Sequence, residues 1–221
     1  MLEHGGRLRL AARRYGIPLA DWLDLSTGLN PRAWPVPAIP ARAWSRLPEE
    51  DDDLARLAQE YYGAADCLPV AGSQAAIQAL PLLHAAGGRR IGMLAPAYAE
   101  HAHAWRRAGF EVLPLAAEAI EAAIEGLDHL LLVNPNNPTG QRFDAAQLLG
   151  WHRRLAARGG SLIVDEAFMD VTPADSLAVH SHLPGLIVLR SLGKFFGLAG
   201  ARVGFVLAEP GLLRRLADWL G

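Results

Sequence analysis

Short apolar runs alternate with helical patterns through most of the chain. The apolar runs predict strands at 68–71, 90–95, 110–115, 129–133, 161–164, 186–190 and 202–207. Between them, apolar positions recur at helical spacing, and the predicted helices cover 72–84, 98–108, 117–125, 144–157, 176–182 and 212–220. This alternation is typical of an α/β fold with a mostly parallel sheet that is covered by helices on both faces.

The connection into the last strand is short. Only residues 191–201 separate the strand at 186–190 from the strand at 202–207, and no helical pattern lies between them. A parallel pair of strands needs a crossover of about a dozen residues or more. The spacing therefore allows the last strand to run antiparallel to its neighbour.

The first fifty residues follow a different pattern. Residues 7–15 predict a short basic helix that ends at Gly16. Residues 24–48 are rich in proline, which is excluded from helix interiors and central strands, so they predict an extended arm. Residues 51–62 predict a helix with aspartates in its first turn, and Gly63 ends it.

The composition is ordinary for a globular protein, with 221 residues that are 51% hydrophobic and 20% charged. A net charge of −2 without a long basic run argues against nucleic acid or an anionic membrane as partner. The single cysteine, Cys67, excludes an internal disulfide and fits a reducing compartment. The N-terminus is too charged for a signal peptide, and no apolar run approaches the roughly eighteen residues of a membrane helix. We therefore expect a cytoplasmic protein without a membrane or metal partner.

The segment SLGKFFGLAGAR (191–202) is the strongest candidate for chemistry. It places Lys194 in a glycine-containing turn directly after an apolar strand, with Ser191 before it and Arg202 after it. A lysine amine becomes a nucleophile when desolvation or a nearby cation lowers its pKa, and a serine and an arginine can hold a phosphate. The pattern is compatible with a lysine that binds pyridoxal phosphate (PLP) and, equally, with a solvated loop lysine.

Other polar residues follow the predicted strands at regular intervals. Asn137, Asp165 and Lys194 are 28 and 29 residues apart, which is about one strand–helix unit each. The segment 72–74, Gly-Ser-Gln, also follows a strand. Because ligands bind at the carboxyl ends of the strands in such sheets, we expect all four positions at one edge.

Each of these residue types meets a need of PLP. Gly72 and Ser73 at a helix start offer N–H groups and a hydroxyl to a phosphate, although an ordinary capping serine fits as well. Asp165 can pair with a protonated pyridine nitrogen and so keep the ring an electron sink, or simply cap the next segment. Asn137 in NPNNPTG can donate to the phenolic oxygen of the ring. Tyr98 can stack on the ring or pack against the sheet.

Together, NPNNPTG, VDEAF and SLGKFFGLAGARVGF resemble the signature of fold-type I PLP enzymes of the aminotransferase class I/II family, in its order and spacing. The resemblance implies an N-terminal arm and substrate-side segment at 1–50 and a PLP-binding large domain at 51–221. It also implies a homodimer. It implies that Lys194 is the Schiff-base lysine and that the other cofactor-binding residues are Gly72, Ser73, Gln74, Tyr98, Asn137, Asp165, Ser191 and Arg202.

Four further passages resemble one branch of the family, namely His4-Gly5-Gly6, DLSTGLNP, RLPEEDDDL and APAYAEH. That branch decarboxylates O-phospho-L-threonine to aminopropanol phosphate in cobalamin biosynthesis. The resemblance places His4 and Asn30 near the substrate phosphate, although a disordered histidine and a turn asparagine fit equally. The histidinol-phosphate aminotransferase branch is the alternative. The residues alone do not separate the two, because the outcome depends on which Cα bond lies perpendicular to the ring.

The sequence departs from the family pattern at three points. Phe168 stands where many members have a tyrosine that binds the phenolic oxygen, and Leu47 stands where many have a tyrosine that reaches the partner's cofactor phosphate. The family pattern also continues into a small C-terminal domain with a carboxylate-binding arginine, which is absent from these 221 residues. Two alternatives therefore stay open: a truncated PLP-binding relative with little activity, and a non-catalytic α/β binding module.

Overall fold

The fold is a seven-stranded sheet with helices on both faces, and the computed structural model describes residues 5–47, 49, 52–84 and 87–221. The strands are β1 (Leu68–Val70), β2 (Arg90–Leu94), β3 (Glu111–Leu115), β4 (His129–Val133), β5 (Ser161–Asp165), β6 (Leu186–Ser191) and β7 (Gly204–Leu207). The helices are α1 (Leu8–Tyr15), α2 (Leu54–Tyr62), α3 (Ser73–Leu83), α4 (Ala99–Arg107), α5 (Ile120–Ala123), α6 (Ala145–Ala156) and α7 (Pro210–Leu220).

The strand order is β1-β7-β6-β5-β4-β2-β3. Strands β2 to β6 run parallel, whereas β7 pairs antiparallel with both β6 and β1. The predicted α/β class with a mostly parallel sheet is therefore confirmed. The antiparallel orientation of β7 agrees with its short connection to β6, which leaves no room for a crossover helix.

Both faces of the sheet are buried, which explains why its strands are continuous apolar runs. On β5, Leu162 and Val164 pack with Trp151 of α6 on one face. Ile163 packs on the other face with Ile77 of α3 and Trp105 of α4. This alternation decides which face each residue at the end of a strand will occupy.

Several predicted elements are shorter in the structure. The predicted helix at 176–182 is only a 3-10 turn at Ala178–His180. The predicted helix at 117–125 is divided into α5 and two flanking 3-10 turns. Helix α2 begins at Leu54, and residue 51, where the prediction began, lies outside the described residues.

The described part of the N-terminal segment, residues 5–47, contains no buried residue. It is attached to the turn that follows β6, because the Asn30 N–H donates to the Lys194 carbonyl (3.0 Å) and the Trp34 N–H to the Phe196 carbonyl (2.8 Å). The segment therefore lies along the turn that carries the candidate lysine. In the part of the chain that the structure describes, no helix combines the length and apolar character needed to cross a membrane.

Candidate active site

A cavity of about 390 Å³ lies at the carboxyl ends of the parallel strands. Every residue that the sequence proposes for cofactor binding lines it: Gly72, Ser73, Gln74, Tyr98, Asn137, Asp165, Ser191, Lys194 and Arg202. The segments that follow β1, β2, β4, β5 and β6 thus bring these residues to one edge. Their individual roles stay predictions.

Lys194 lies in a turn that its own backbone holds closed. Its carbonyl accepts hydrogen bonds from the N–H groups of Gly197 (3.2 Å) and Asn30 (3.0 Å). The Ser191 hydroxyl accepts a hydrogen bond from the Gly193 N–H at 3.1 Å. The Lys194 amine lies 5.4 Å from the centre of the Phe168 ring, so an apolar surface flanks it on one side.

Asp165, the last residue of β5, is 4% exposed and has two defined partners. Its Oδ1 accepts a hydrogen bond from the Ala167 N–H (3.0 Å), and its Oδ2 accepts one from His101 Nε2 (2.8 Å). Partners on both oxygens fix the orientation of this carboxylate at the cavity wall. A buried, oriented carboxylate is the arrangement required to pair with a protonated ring nitrogen.

His101 is a site residue to which the sequence reasoning assigned no role. It is 2% exposed, and its ring packs edge-on against Tyr98 with 6.0 Å between the ring centres. The signal was present in APAYAEH, because residues three apart at a helix start share one face. The sequence could not show that this face lies against Asp165, 64 residues further along the chain.

The start of α3 and Arg202 lie together at the cavity wall. Gly72 has φ of 73°, and a Cβ added to it would lie 2.7 Å from Arg202 Nη2. Helix N-termini and guanidinium groups both favour negative charge. Gln74 differs from its predicted role in one respect, because its amide donates to Glu100 (2.9 Å), whose carboxylate also lines the cavity.

The NPNNPTG loop is fixed by the two asparagines that precede Asn137. Asn134 exchanges two hydrogen bonds with the backbone of Phe143, at 3.1 and 3.0 Å. Asn136 donates to the Thr139 hydroxyl (2.7 Å) and to the Pro96 carbonyl (2.9 Å). The loop therefore holds Asn137 at the cavity wall beside Tyr98. Burial, together with the charges of nearby carboxylates, raises the pKa of the Tyr98 hydroxyl, which favours its protonated form.

Of the two residues predicted to bind substrate, the structure describes only Asn30. His4 lies outside the described residues. The Asn30 amide donates to the Phe195 carbonyl at 2.8 Å, and its oxygen accepts from the Arg32 N–H at 2.9 Å, so it attaches the arm to the lysine turn. Asn30 also lines a second cavity, of about 290 Å³, that reaches Lys194. Its role toward substrate stays a prediction.

The structure locates the two substitutions that depart from the family pattern. Phe168 packs against Gly28, where an added Cβ would lie 3.1 Å from the ring, and it brings no hydroxyl to the cavity that it lines. Leu47 is 88% exposed.

The sheet order and the position of the cavity are those of the PLP-dependent transferase fold. The model of the family "Aminotransferase class I and II" matches residues 44–221, and the chain belongs to that family.

The chain is similar to two curated relatives and to a solved structure. A threonine-phosphate decarboxylase from Pseudomonas aeruginosa is 64% identical over 221 residues, which are 100% of this chain and 66% of that protein. Another from a Sinorhizobium species is 48% identical over 225 residues, covering 100% of this chain and 67% of that protein. The chain thus spans about two thirds of the length of these curated relatives. A histidinol-phosphate aminotransferase from Sinorhizobium meliloti, solved in complex with pyridoxal-5'-phosphate, has a TM-score of 0.67 at 24% identity, covering 75% of this chain and 49% of that chain.

Proposed function

We propose that this chain binds PLP through Lys194 and belongs to an enzyme that decarboxylates O-phospho-L-threonine to aminopropanol phosphate in cobalamin biosynthesis. The observation that carries the proposal is the position of the Lys194 amine and the Asp165 carboxylate. They follow adjacent parallel strands and line one cavity together with an anion-attracting helix start.

The residues around the cavity fit PLP in chemical type. The donors at the start of α3 and Arg202 suit its phosphate, and Gly72 leaves the space that a side chain would fill. Asp165 suits the pyridine nitrogen, Asn137 the phenolic oxygen and Tyr98 one face of the ring. The volume of about 390 Å³ lies within the range of small-molecule sites, about 300–1,000 Å³.

When bound, PLP supplies an electron-accepting ring that stabilises negative charge at the substrate Cα. Asp165, oriented by His101 and the Ala167 N–H, maintains a negative charge where the ring nitrogen would lie. Lys194 would hold the cofactor through its amine, and the ammonium form of the same side chain would donate a proton to the substrate carbon that has lost CO₂. The Phe168 ring flanks that amine on one side, with its centre 5.4 Å away.

Decarboxylation rather than transamination is proposed on sequence similarity. Relatives described as threonine-phosphate decarboxylases are 64% and 48% identical over the whole chain, whereas a relative described as a histidinol-phosphate aminotransferase, from Mesorhizobium japonicum, is 28% identical over 91% of it. Cleavage of the carboxylate bond requires that bond to lie perpendicular to the ring, which depends on how the substrate carboxylate and phosphate are held. Transamination of histidinol phosphate is the second candidate, because the same cavity residues serve both reactions.

Location in the cytoplasm, assembly as a homodimer and the division at residue 50 belong to the same proposal. Support for assembly comes from the large apolar side chains that the arm exposes, which include Leu23, Leu25, Trp34 and Trp44. Exposed apolar patches of this kind are typical of surfaces that bind another protein.

The first experiment tests cofactor binding. Purified chain is mixed with PLP, and the visible absorbance of the lysine adduct is recorded before and after borohydride reduction. Peptide mass spectrometry is expected to locate the reduced cofactor on Lys194, and Lys194→Ala should abolish both signals. The proposal would be contradicted if no visible absorbance formed at saturating PLP. It would also be contradicted if the reduced cofactor were found on the N-terminal amine instead of Lys194.

The second experiment tests the reaction. The 221-residue chain and the full-length Pseudomonas aeruginosa relative are each offered O-phospho-L-threonine, and release of CO₂ is measured. We expect release by both, and less by the shorter chain if further residues bind the substrate carboxylate. Turnover of histidinol phosphate that depends on a 2-oxo acid and releases no CO₂ would refute the decarboxylase proposal and support the transaminase alternative.

A further inference from the structure

A buried ion cluster lies on the face of the sheet opposite to Asp165. Arg190 Nη1 donates to Glu166 (2.8 Å), and Arg190 Nη2 donates to Asp170 (2.6 Å). The three residues are 1%, 0% and 5% exposed, respectively. The ring of Tyr62 lies below the guanidinium, with 4.5 Å from its centre to the guanidinium carbon. None of these side chains lines the cofactor cavity.

The cluster connects the two strands that carry the proposed chemistry. Asp165 pairs with Leu189 in the β5–β6 register, and the next residue on each strand is a member of the cluster. The backbone continues the pairing, because the Glu166 N–H donates to the Leu189 carbonyl at 2.9 Å. Glu166 therefore follows Asp165 directly, and Arg190 precedes Lys194 by four residues.

The same cluster closes the loop that forms one wall of the cavity. The Glu166 carboxylate accepts hydrogen bonds from the Ser176 hydroxyl and from the Leu177 N–H (2.8 Å), which joins the two ends of the loop. Asp170, in the middle of the loop, is held by Arg190. This loop includes Phe168, whose ring faces the Lys194 amine.

The charges explain why one residue controls the arrangement. A single guanidinium faces two carboxylates, and its planar fork reaches both at once, which a lysine ammonium cannot do in the same way. Burial raises the pKa of Glu166, and the Arg190 charge opposes that rise. Without Arg190, two carboxylates would be left buried in one place, and the loop would separate from β6.

We propose that Arg190 is a positioning residue: through Glu166 and Asp170 it fixes the 166–177 loop and the lysine turn relative to each other. It thereby sets the placement of Lys194 relative to Asp165. The consequence for cofactor binding rests on the proposed function, whereas the consequence for the geometry of the loop and turn does not.

The test compares Arg190→Met and the isosteric Asp170→Asn with Leu155→Ala. Leu155 is fully buried on α6, and its carbonyl accepts from the Gly160 N–H next to the amino end of β5, far from the cluster. The stability of all three variants is measured by urea titration, so that the cluster variants are compared with a control that has a similar loss of global stability. Asp170→Asn keeps the shape of the side chain and is the variant to use if Arg190→Met does not fold.

The first readout is amide hydrogen exchange without PLP, followed by mass spectrometry. In the Arg190 and Asp170 variants, peptides from 167–177 and 193–198 should exchange about tenfold faster relative to β4. The reason is that opening the loop no longer requires the Arg190 ion pairs to break. Leu155→Ala should leave that ratio unchanged. Wild-type exchange in both peptides of Arg190→Met and Asp170→Asn would overturn the proposal.

The second readout is PLP binding. We expect the apparent Kd for PLP of both cluster variants to rise about tenfold or more, and the pH midpoint of the visible absorbance to shift. Effects of this size are typical of residues that orient the groups in direct contact with a ligand. Leu155→Ala should change neither quantity. If wild-type chain shows no visible absorbance with PLP, the proposed function is wrong, and hydrogen exchange still decides the positioning role.

Discussion

Gly72→Ala should separate the contribution of the phosphate end of the cavity from that of the rest. Gly72 has φ of 73° and ψ of 153°, a region that is in practice open only to glycine and costs another residue about 1–3 kcal/mol. The added Cβ would also lie 2.7 Å from Arg202 Nη2, so the guanidinium must move away from the start of α3. We therefore expect a loss of both stability and anion binding.

The expected loss of affinity follows from the contacts at this end of the cavity. A hydrogen bond between charged groups contributes about 1.5–3 kcal/mol, and losing one corresponds to roughly a ten- to hundredfold increase in the Kd for PLP. The assay is titration of the visible absorbance with PLP and, in parallel, with pyridoxal, which lacks the phosphate. Only the affinity for PLP should fall, because the substitution leaves Lys194 and Asp165 untouched.

Gly16→Ala is the control for the backbone effect. Gly16 has φ of 67° and no heavy atom within 4 Å of an added Cβ. This variant should lose about 1 kcal/mol of stability and keep the wild-type affinity for PLP. Wild-type PLP affinity in Gly72→Ala, or an equal loss for PLP and pyridoxal, would refute the assignment of Arg202 and the start of α3 to the phosphate.

Two further predictions concern histidines. His101→Leu removes the donor to Asp165 Oδ2, so it should weaken PLP binding about tenfold and shift the pH dependence of the visible absorbance. The control His103→Leu, at an exposed position of the same helix, should change neither quantity. Burial lowers the pKa of His129 to about 4, so the unfolded chain binds more protons than the folded chain, and stability should fall as the pH drops from about 6.5 to 4. Urea midpoints across this range should show that loss, on the order of 3 kcal/mol at most, and His129→Phe should reduce it; a midpoint that does not change with pH would contradict the assigned cause.

The sequence predicted the fold class and the set of cavity residues because both depend on local order along the chain. Apolar runs of strand length alternate with helical patterns, and in a parallel sheet each strand end reaches the same edge. The spacing of Asn137, Asp165 and Lys194 therefore predicted that they line one cavity, and the structure places them there. Their roles toward PLP are predictions that the experiments above decide.

The prediction was weaker where the chain does not repeat a pattern. The helix expected at 176–182 is a single 3-10 turn, and the Ser176 hydroxyl and the Leu177 N–H that precede it bind the Glu166 carboxylate. Nothing in the sequence indicated that Ser176 binds a carboxylate ten residues earlier. Asn30, considered as a substrate residue, attaches the arm to the lysine turn through the Phe195 carbonyl.

The sequence by itself determined which residues stand at the ends of strands, and through its motifs the family to which the chain belongs. Only the tertiary structure decided which residues meet across the sheet. His101 reaches Asp165 because α4 packs on the face that Asp165 occupies, and Arg190 reaches Glu166 and Asp170 because β5 and β6 are neighbours. Such contacts depend on strand order and on which helix covers each face of the sheet, and neither follows from spacing along the chain.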